Sequence, residues 1–154
     1  MQSKNIYRLP FEGNFEIKPA PFHYEENWLE HAVDFAMPVG TPVLASLDGI
    51  VDITIDRFGT GGPSKSYLNK SNVIRIKHPN NEYSFYVHLR KGFEVKKCDK
   101  VKKGMLIAYS GDSGYNTYQH LHFHVMMKIN SDWQTIPARF QIGDEIKILR
   151  SPKE

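Results

Sequence analysis

Cysteine occurs once, at Cys98, so an intrachain disulfide is excluded. That thiol sits in the polar, turn-like stretch Lys96-Lys97-Cys98-Asp99 with no activating base beside it, and a nucleophilic role is not expected. No apolar run approaches the length of a membrane span. The start, Met1-Gln2-Ser3-Lys4, lacks the apolar core of a secretion signal. The expectation is therefore that the protein either stays inside the cell or has lost a leader. Strong charge imbalance is missing too: 20 Lys and Arg stand against 17 Asp and Glu, a net charge of +3. The densest basic run, from Lys96 to Lys103, reads as a solvated hairpin. No nucleic-acid-binding module is recognisable, so nucleic acid is not an expected partner. Internal repeats, low-complexity tracts and long helical periods are absent as well, and with no pairing helix the expectation is a monomer.

What is present is an ordinary globular composition, 40% apolar and 24% charged over 154 residues, enough for one domain with a proper core. Short β-like runs recur: Pro42 to Ala45, Gly49 to Ile55, Asn72 to His78, Ser84 to Leu89, Leu106 to Ser110, His120 to Met127 and Glu145 to Leu149. Turn clusters such as Pro38-Val39-Gly40-Thr41-Pro42 and Gly111-Asp112-Ser113-Gly114 separate them. The pattern predicts an all-β, mainly antiparallel domain. The best helix candidate is Tyr24 to Leu29. Residues 1–30 read as an irregular lead-in with one strand and residues 131–154 as a closing segment, all within a single domain, 1–154. The Gly59-Thr60-Gly61-Gly62-Pro63-Ser64-Lys65-Ser66 stretch lacks the Gly-Lys-Ser/Thr ending of a phosphate loop and reads as a surface loop on the rim of a cleft.

The chemistry concentrates in Gln119-His120-Leu121-His122-Phe123-His124-Val125. In a strand successive side chains point to opposite faces, so three imidazoles share one face while Leu121, Phe123 and Val125 enter a core. A row of imidazoles on a rigid strand suits metal binding and proton transfer. Asp34, between Val33 and Phe35, is a carboxylate in an apolar strand; metal ligation would satisfy it. In Phe85-Tyr86-Val87-His88-Leu89, alternation places Tyr86 with His88 and opposite Phe85, Val87 and Leu89. His78, before Pro79-Asn80-Asn81, reads as an exposed or turn-bonded histidine. His23 and His31 complete the candidates.

The ordered set Asp34-Phe35-Ala36-Met37-Pro38-Val39-Gly40-Thr41-Pro42-Val43, Asp48-Gly49, Tyr86-Val87-His88-Leu89, Val101-Lys102-Lys103-Gly104, Ser110-Gly111 and His120-Leu121-His122-Phe123 resembles the lysostaphin-type, LytM-like zinc metallopeptidases, which cleave peptide bonds in bacterial peptidoglycan. It spans about residues 31–127. The resemblance implies a lysostaphin-like catalytic domain with a groove, one zinc ion, and peptidoglycan peptides as substrate. It implies Asp34 and His122 as zinc ligands and His88 and His120 as unligated catalytic histidines. Which of those two is the base stays open. The family usually has a third ligand, His, four residues before the aspartate; here that position is Glu30. His31 lies at an odd offset from Asp34, on the opposite face of a regular strand unless a bulge re-aims it. His23, eleven residues upstream, fits a variant of the pattern and ranks first; His31 is the alternate and Glu30 the last choice. His124 stands where the family commonly has Glu, and Cys98 where it has a turn glycine. Tyr86 and Tyr118 are candidate substrate contacts. The competing readings are a non-catalytic LytM-like regulator, a cell-wall-binding domain with structural histidines, and a cytoplasmic enzyme acting on a non-wall peptide.

Overall fold

The longest strand carries the histidine row. In a computed structural model that describes the backbone of residues 1–154 and every side chain except that of Asn27, His120–Ile129 forms one unbroken ten-residue strand. In chain order the strands are β1 (Ile6–Tyr7), β2 (Val33–Ala36), β3 (Pro42–Leu44), β4 (Gly49–Ile55), β5 (Gly61–Gly62), β6 (Val73–Lys77), β7 (Tyr83–Val87), β8 (Lys100–Val101), β9 (Leu106–Tyr109), β10 (Gly114–Tyr115), β11 (His120–Ile129), β12 (Asp132–Ile136), β13 (Arg139–Ile142) and β14 (Glu145–Ile148). The single α-helix, α1, covers Pro21–Glu25, and short 3-10 turns follow at Asn27–Leu29, Lys65–Tyr67 and Pro79–Asn81. No helix among the described residues is long and apolar enough to cross a membrane.

The main sheet has seven strands in the order β12-β11-β7-β6-β4-β8, with β2 also paired to β11. Its pairings are antiparallel throughout. The length of β11 lets one edge serve two partners: residues 120–123 pair with β2 and residues 125–129 with β12. The strands alternate as pleating requires. Ile74 and Ile76 of β6, Tyr86 of β7, and Leu121, Phe123 and Val125 of β11 all point into the core with Val33 and Phe35 of β2. The opposite face of the same strands forms the floor of a groove. A bulge between Val51 and Ile53 switches the parity of β4, so that Val51 is buried in the core while Ile53 and Ile55 reach the groove.

The all-β, antiparallel expectation holds, and most expected strands lie within a residue or two of their bounds. Three readings differ. The helix sits three residues earlier than Tyr24–Leu29, because Pro21 suits a first helical position where no N–H is needed. β12 was not legible inside the closing segment: Asp132, Trp133 and Gln134 are exposed and the strand has no alternating apolar signature. His78 is buried rather than exposed, with Nδ1 against the Asp48 carbonyl and Nε2 against the Ser84 hydroxyl. Cys98 adopts φ +79°, the left-handed conformation that glycine takes readily at such a turn.

Candidate metal centre

β2 and β11 build the centre by register. His122 stands directly opposite Asp34, so both side chains leave the same face. His122 Nδ1 is 3.1 Å from Asp34 Oδ1. His23, the one buried residue of α1, brings Nε2 to 3.3 Å from the same oxygen. One ligand atom from each of His23, Asp34 and His122 lies within 4.8 Å of the other two. His120 Nε2 stands 3.5 Å from the second oxygen, Oδ2, to which the Tyr118 hydroxyl donates at 3.4 Å.

This donor set fits a zinc ion. Asp34 Oδ1 is buried without a hydrogen-bond partner although two imidazole nitrogens approach it. A carboxylate oxygen left so is costly, and a cation shared by the three groups removes the cost. Two imidazole nitrogens and one carboxylate oxygen are ordinary zinc ligands. The protonation states agree with this. Burial alone would raise the Asp34 carboxyl, but His120, His122 and His23 outweigh it and hold the group well below the usual carboxylate range. Burial lowers His122, even against the favourable pull of Asp34, so the imidazole is neutral. An ionised Asp and neutral imidazoles are the forms that bind metal.

The histidine ring nitrogens are sorted by their partners. His122 Nε2 is 2.8 Å from His124 Nδ1, and its Nδ1 faces Asp34 Oδ1. Phe85 stacks on the His124 ring at 4.5 Å, and burial followed by the neighbouring His122 keeps His124 neutral. His120 Nδ1 donates to the Tyr118 carbonyl at 2.9 Å, and His88 Nδ1 to the Ser113 carbonyl at 2.7 Å. In both rings Nε2 remains the free nitrogen. Burial, then the nearness of His120 and His122, pushes His88 down to about 3. Burial, then the Asp34 charge, raises Tyr118, which keeps its hydroxyl a donor.

All these groups line one groove of about 600 Å³. Its walls are apolar, with Phe22, Trp28, Ile53, Ile55, Val73 and Val87 prominent, and among the described residues no lysine or arginine lines it. His88 and His120 face each other there with ring centroids 4.6 Å apart. Of the two candidate substrate contacts, Tyr118 lines the groove and Tyr86 does not. Tyr86 is fully buried, its hydroxyl accepting from Ser46 N and Ser84 Oγ and its ring packed on Phe123. The alternation argument failed because β7 ends at Val87 and His88 has φ +66°, which turns its side chain to the face of Phe85 and Val87. Burial raises the Tyr86 hydroxyl further. His31 and Glu30 lie apart from Asp34, in a separate depression of about 240 Å³ with Gln134 and Thr135. His31 Nδ1 faces Arg150 there at 3.5 Å.

Two supports of His88 were not legible in the sequence beyond a turn signal. Ser71 Oγ lies 3.2 Å from His88 Nδ1, and Ser113 supplies the carbonyl. Gly114 makes this possible: at φ +80° a Cβ there would collide with Ser71 Oγ.

The model of Peptidase family M23 matches residues 29–134. The peptidoglycan DD-endopeptidase ShyA of Vibrio cholerae is 37% identical over 98 residues, 64% of this chain and 20% of its own length. The glycyl-glycine endopeptidase ALE-1 of Staphylococcus capitis is 42% identical over 97 residues, 62% of this chain and 24% of its own length. The chain thus spans about a fifth to a quarter of the curated relatives it matches. Among solved structures, lysostaphin from Staphylococcus simulans superposes with a TM-score of 0.59 at 28% identity, covering 86% of this chain and 52% of that one. A zinc-containing peptidase from Vibrio cholerae gives a TM-score of 0.53 at 28% identity, covering 87% of this chain and 37% of that one. With its antiparallel groove architecture and the matched stretch spanning most of the chain, the protein belongs to Peptidase family M23, with the lysostaphin-like fold.

Proposed function

We propose that the chain is a zinc-dependent endopeptidase that hydrolyses peptide bonds in peptidoglycan cross-bridges or stem peptides. The observation that carries this reading is the buried Asp34 Oδ1, unpaired yet approached by His23 and His122, at the floor of a groove that also holds His88 and His120. His23 rather than His31 or Glu30 is the first ligand in this reading, since it alone of the three stands beside Asp34.

When bound, zinc supplies the Lewis acidity that polarises a carbonyl and makes water nucleophilic near neutral pH. The groove holds an extended peptide beside the ligands. His120 is the stronger candidate for general base: its Nδ1–H is committed to the Tyr118 carbonyl, and Asp34 Oδ2 at 3.5 Å stabilises the imidazolium formed on taking a proton. The same proton then passes to the leaving amine. His88 resists protonation and keeps its Nε2 as an acceptor, which positions the incoming water or a substrate amide. The Tyr118 hydroxyl, held protonated, keeps its one hydrogen on Asp34 Oδ2 at 3.4 Å and lines the groove beside the proposed ligands.

The relatives are named for different bonds, a DD-endopeptidase and a glycyl-glycine endopeptidase, so the bond cut here is left at the level of peptidoglycan peptides. Such a substrate puts the site of action in the periplasm or outside the cell. The test is release of new amino termini from purified peptidoglycan with and without chelator. Hydrolysis should stop in chelator and return with added zinc; unchanged turnover in chelator would end the proposal.

A further inference from the structure

His23 rides on a helix that is too short to hold itself. α1 has five residues, no side-chain N-cap and too few turns to be stable alone. The ring gives no help, because Nδ1 of His23 is buried without a hydrogen-bond partner. His122, in contrast, is fixed through His124. Metal-binding histidines are normally oriented by a bond to the outer nitrogen, so the placement of His23 must come from elsewhere.

It comes from the other end of the chain. Ser151 and Pro152 bond to both ligand-bearing segments. Asp34 N donates to Ser151 Oγ at 2.8 Å, and Ser151 N donates to the Ala32 carbonyl at 3.4 Å. On the helix side, the Tyr24 hydroxyl donates to the Ser151 carbonyl at 2.8 Å, and Ala20 N donates to the Pro152 carbonyl at 2.9 Å. Ser151 is fully buried. The remaining polar groups on that edge of β2 are met by residues 16 and 18, through Ala36 N to Glu16 O and Lys18 N to Asp34 O. Ser151 therefore fills a gap in the edge at Asp34 itself and ties it to the helix next to His23. Both His23 and Ser151 lie outside the matched stretch 29–134.

We propose that residues 150–152 are a strap that sets the spacing of the metal ligands, with Ser151 as the positioning residue that couples the backbone of Asp34 to the helix carrying His23. The proposal rests on the metal-site reading above. It makes metal affinity depend on a serine that touches no metal, with about a tenfold to hundredfold loss when such a support is removed.

Zinc dissociation constants of the full chain, measured by competition with a chromophoric chelator at neutral pH well below the unfolding temperature, test it. Ser151→Ala should weaken zinc binding about tenfold or more, and Tyr24→Phe should weaken it in the same direction. Ser3→Ala is the control. Ser3 is equally buried and accepts from Arg139 N at 2.9 Å, and its bonds reach Asn5, Pro137 and Arg139 but no ligand-bearing segment, so it should lose stability but keep its zinc affinity. Cobalt substitution adds a second readout: the ligand-field spectrum should change in Ser151→Ala and not in Ser3→Ala. If Ser151→Ala does not fold, Tyr24→Phe decides. Wild-type affinity in the strap variants, or an equal loss in Ser3→Ala, overturns the strap while leaving the metal site standing. A wild-type protein that binds no zinc overturns both.

Discussion

His124 Nδ1 lies 2.8 Å from His122 Nε2, and the pair is largely buried in the floor of the groove. With zinc on His122, as proposed, a neutral imidazole accepts from its outer nitrogen where a carboxylate is the commoner partner. In that reading the metal on Nδ1 sets the tautomer, so His122 carries its hydrogen on Nε2 and donates it to His124. Replacing His124 with Leu keeps the apolar contact with Phe85 but leaves the His122 N–H unpaired. Zinc affinity should fall about tenfold to hundredfold by chelator competition. An unchanged affinity would show that the His122 ring is oriented by packing alone.

The two histidines nearest Asp34 should separate by role. His122→Ala removes a ligand and should release the metal. His120→Ala removes the proposed base, 3.5 Å from Asp34 Oδ2, and should keep the metal while kcat falls about a hundredfold to ten-thousandfold. Metal analysis beside single-turnover hydrolysis reads both outcomes. Retention of metal and rate in both variants would sink the role assignment.

Buried neutral histidines make the metal-free protein sensitive to mild acid. Burial depresses His78, His88, His122 and His124, with His88 reaching about 3. Below the ordinary histidine pKa the unfolded chain takes up protons that the folded chain refuses, so folding free energy drops as pH falls. Asp34 does not offset this. Its folded pKa is depressed, so its contribution is present above the unfolded carboxylate pKa and is lost only in stronger acid. His88 alone accounts for about 2 kcal/mol lost between neutrality and about pH 5. Urea denaturation of the chelated protein across that range should show a falling midpoint. A flat profile would mean that these rings are hydrated in solution.

The limits of sequence reading follow the same physics. The histidine row and Asp34 were legible because strand period and apolar neighbours fix their faces. Tyr86 was misplaced because parity was carried through His88, whose left-handed backbone breaks it. The wall residues Phe85 and Val87 were hidden by the same step. β12 escaped because its outward residues are polar or exposed. The strap escaped for another reason: the bond from Asp34 N to Ser151 Oγ joins positions 117 residues apart, and no local pattern encodes such a pairing.

Gly114 gives a way to move His88 without touching a metal ligand. Its φ of +80° suits glycine, and a Cβ there would overlap Ser71 Oγ. Ser71 Oγ and the Ser113 carbonyl are the two groups at His88 Nδ1. Gly114→Ala should therefore push the Ser71 side chain and the Ser113 carbonyl apart and release the His88 ring from its fixed tautomer. Left-handed strain adds about 1–2 kcal/mol of destabilisation. The proposed ligands His23, Asp34 and His122 are on other segments, so zinc affinity should stay at the wild-type value. Positioning errors of about an ångström can cost on the order of a hundredfold in rate, so kcat should fall on that scale while bound zinc is retained. The catalytic loss should appear at temperatures where circular dichroism shows a fully folded protein. If kcat is unchanged there, His88 needs no fixed orientation, and its place in the mechanism is that of a groove wall.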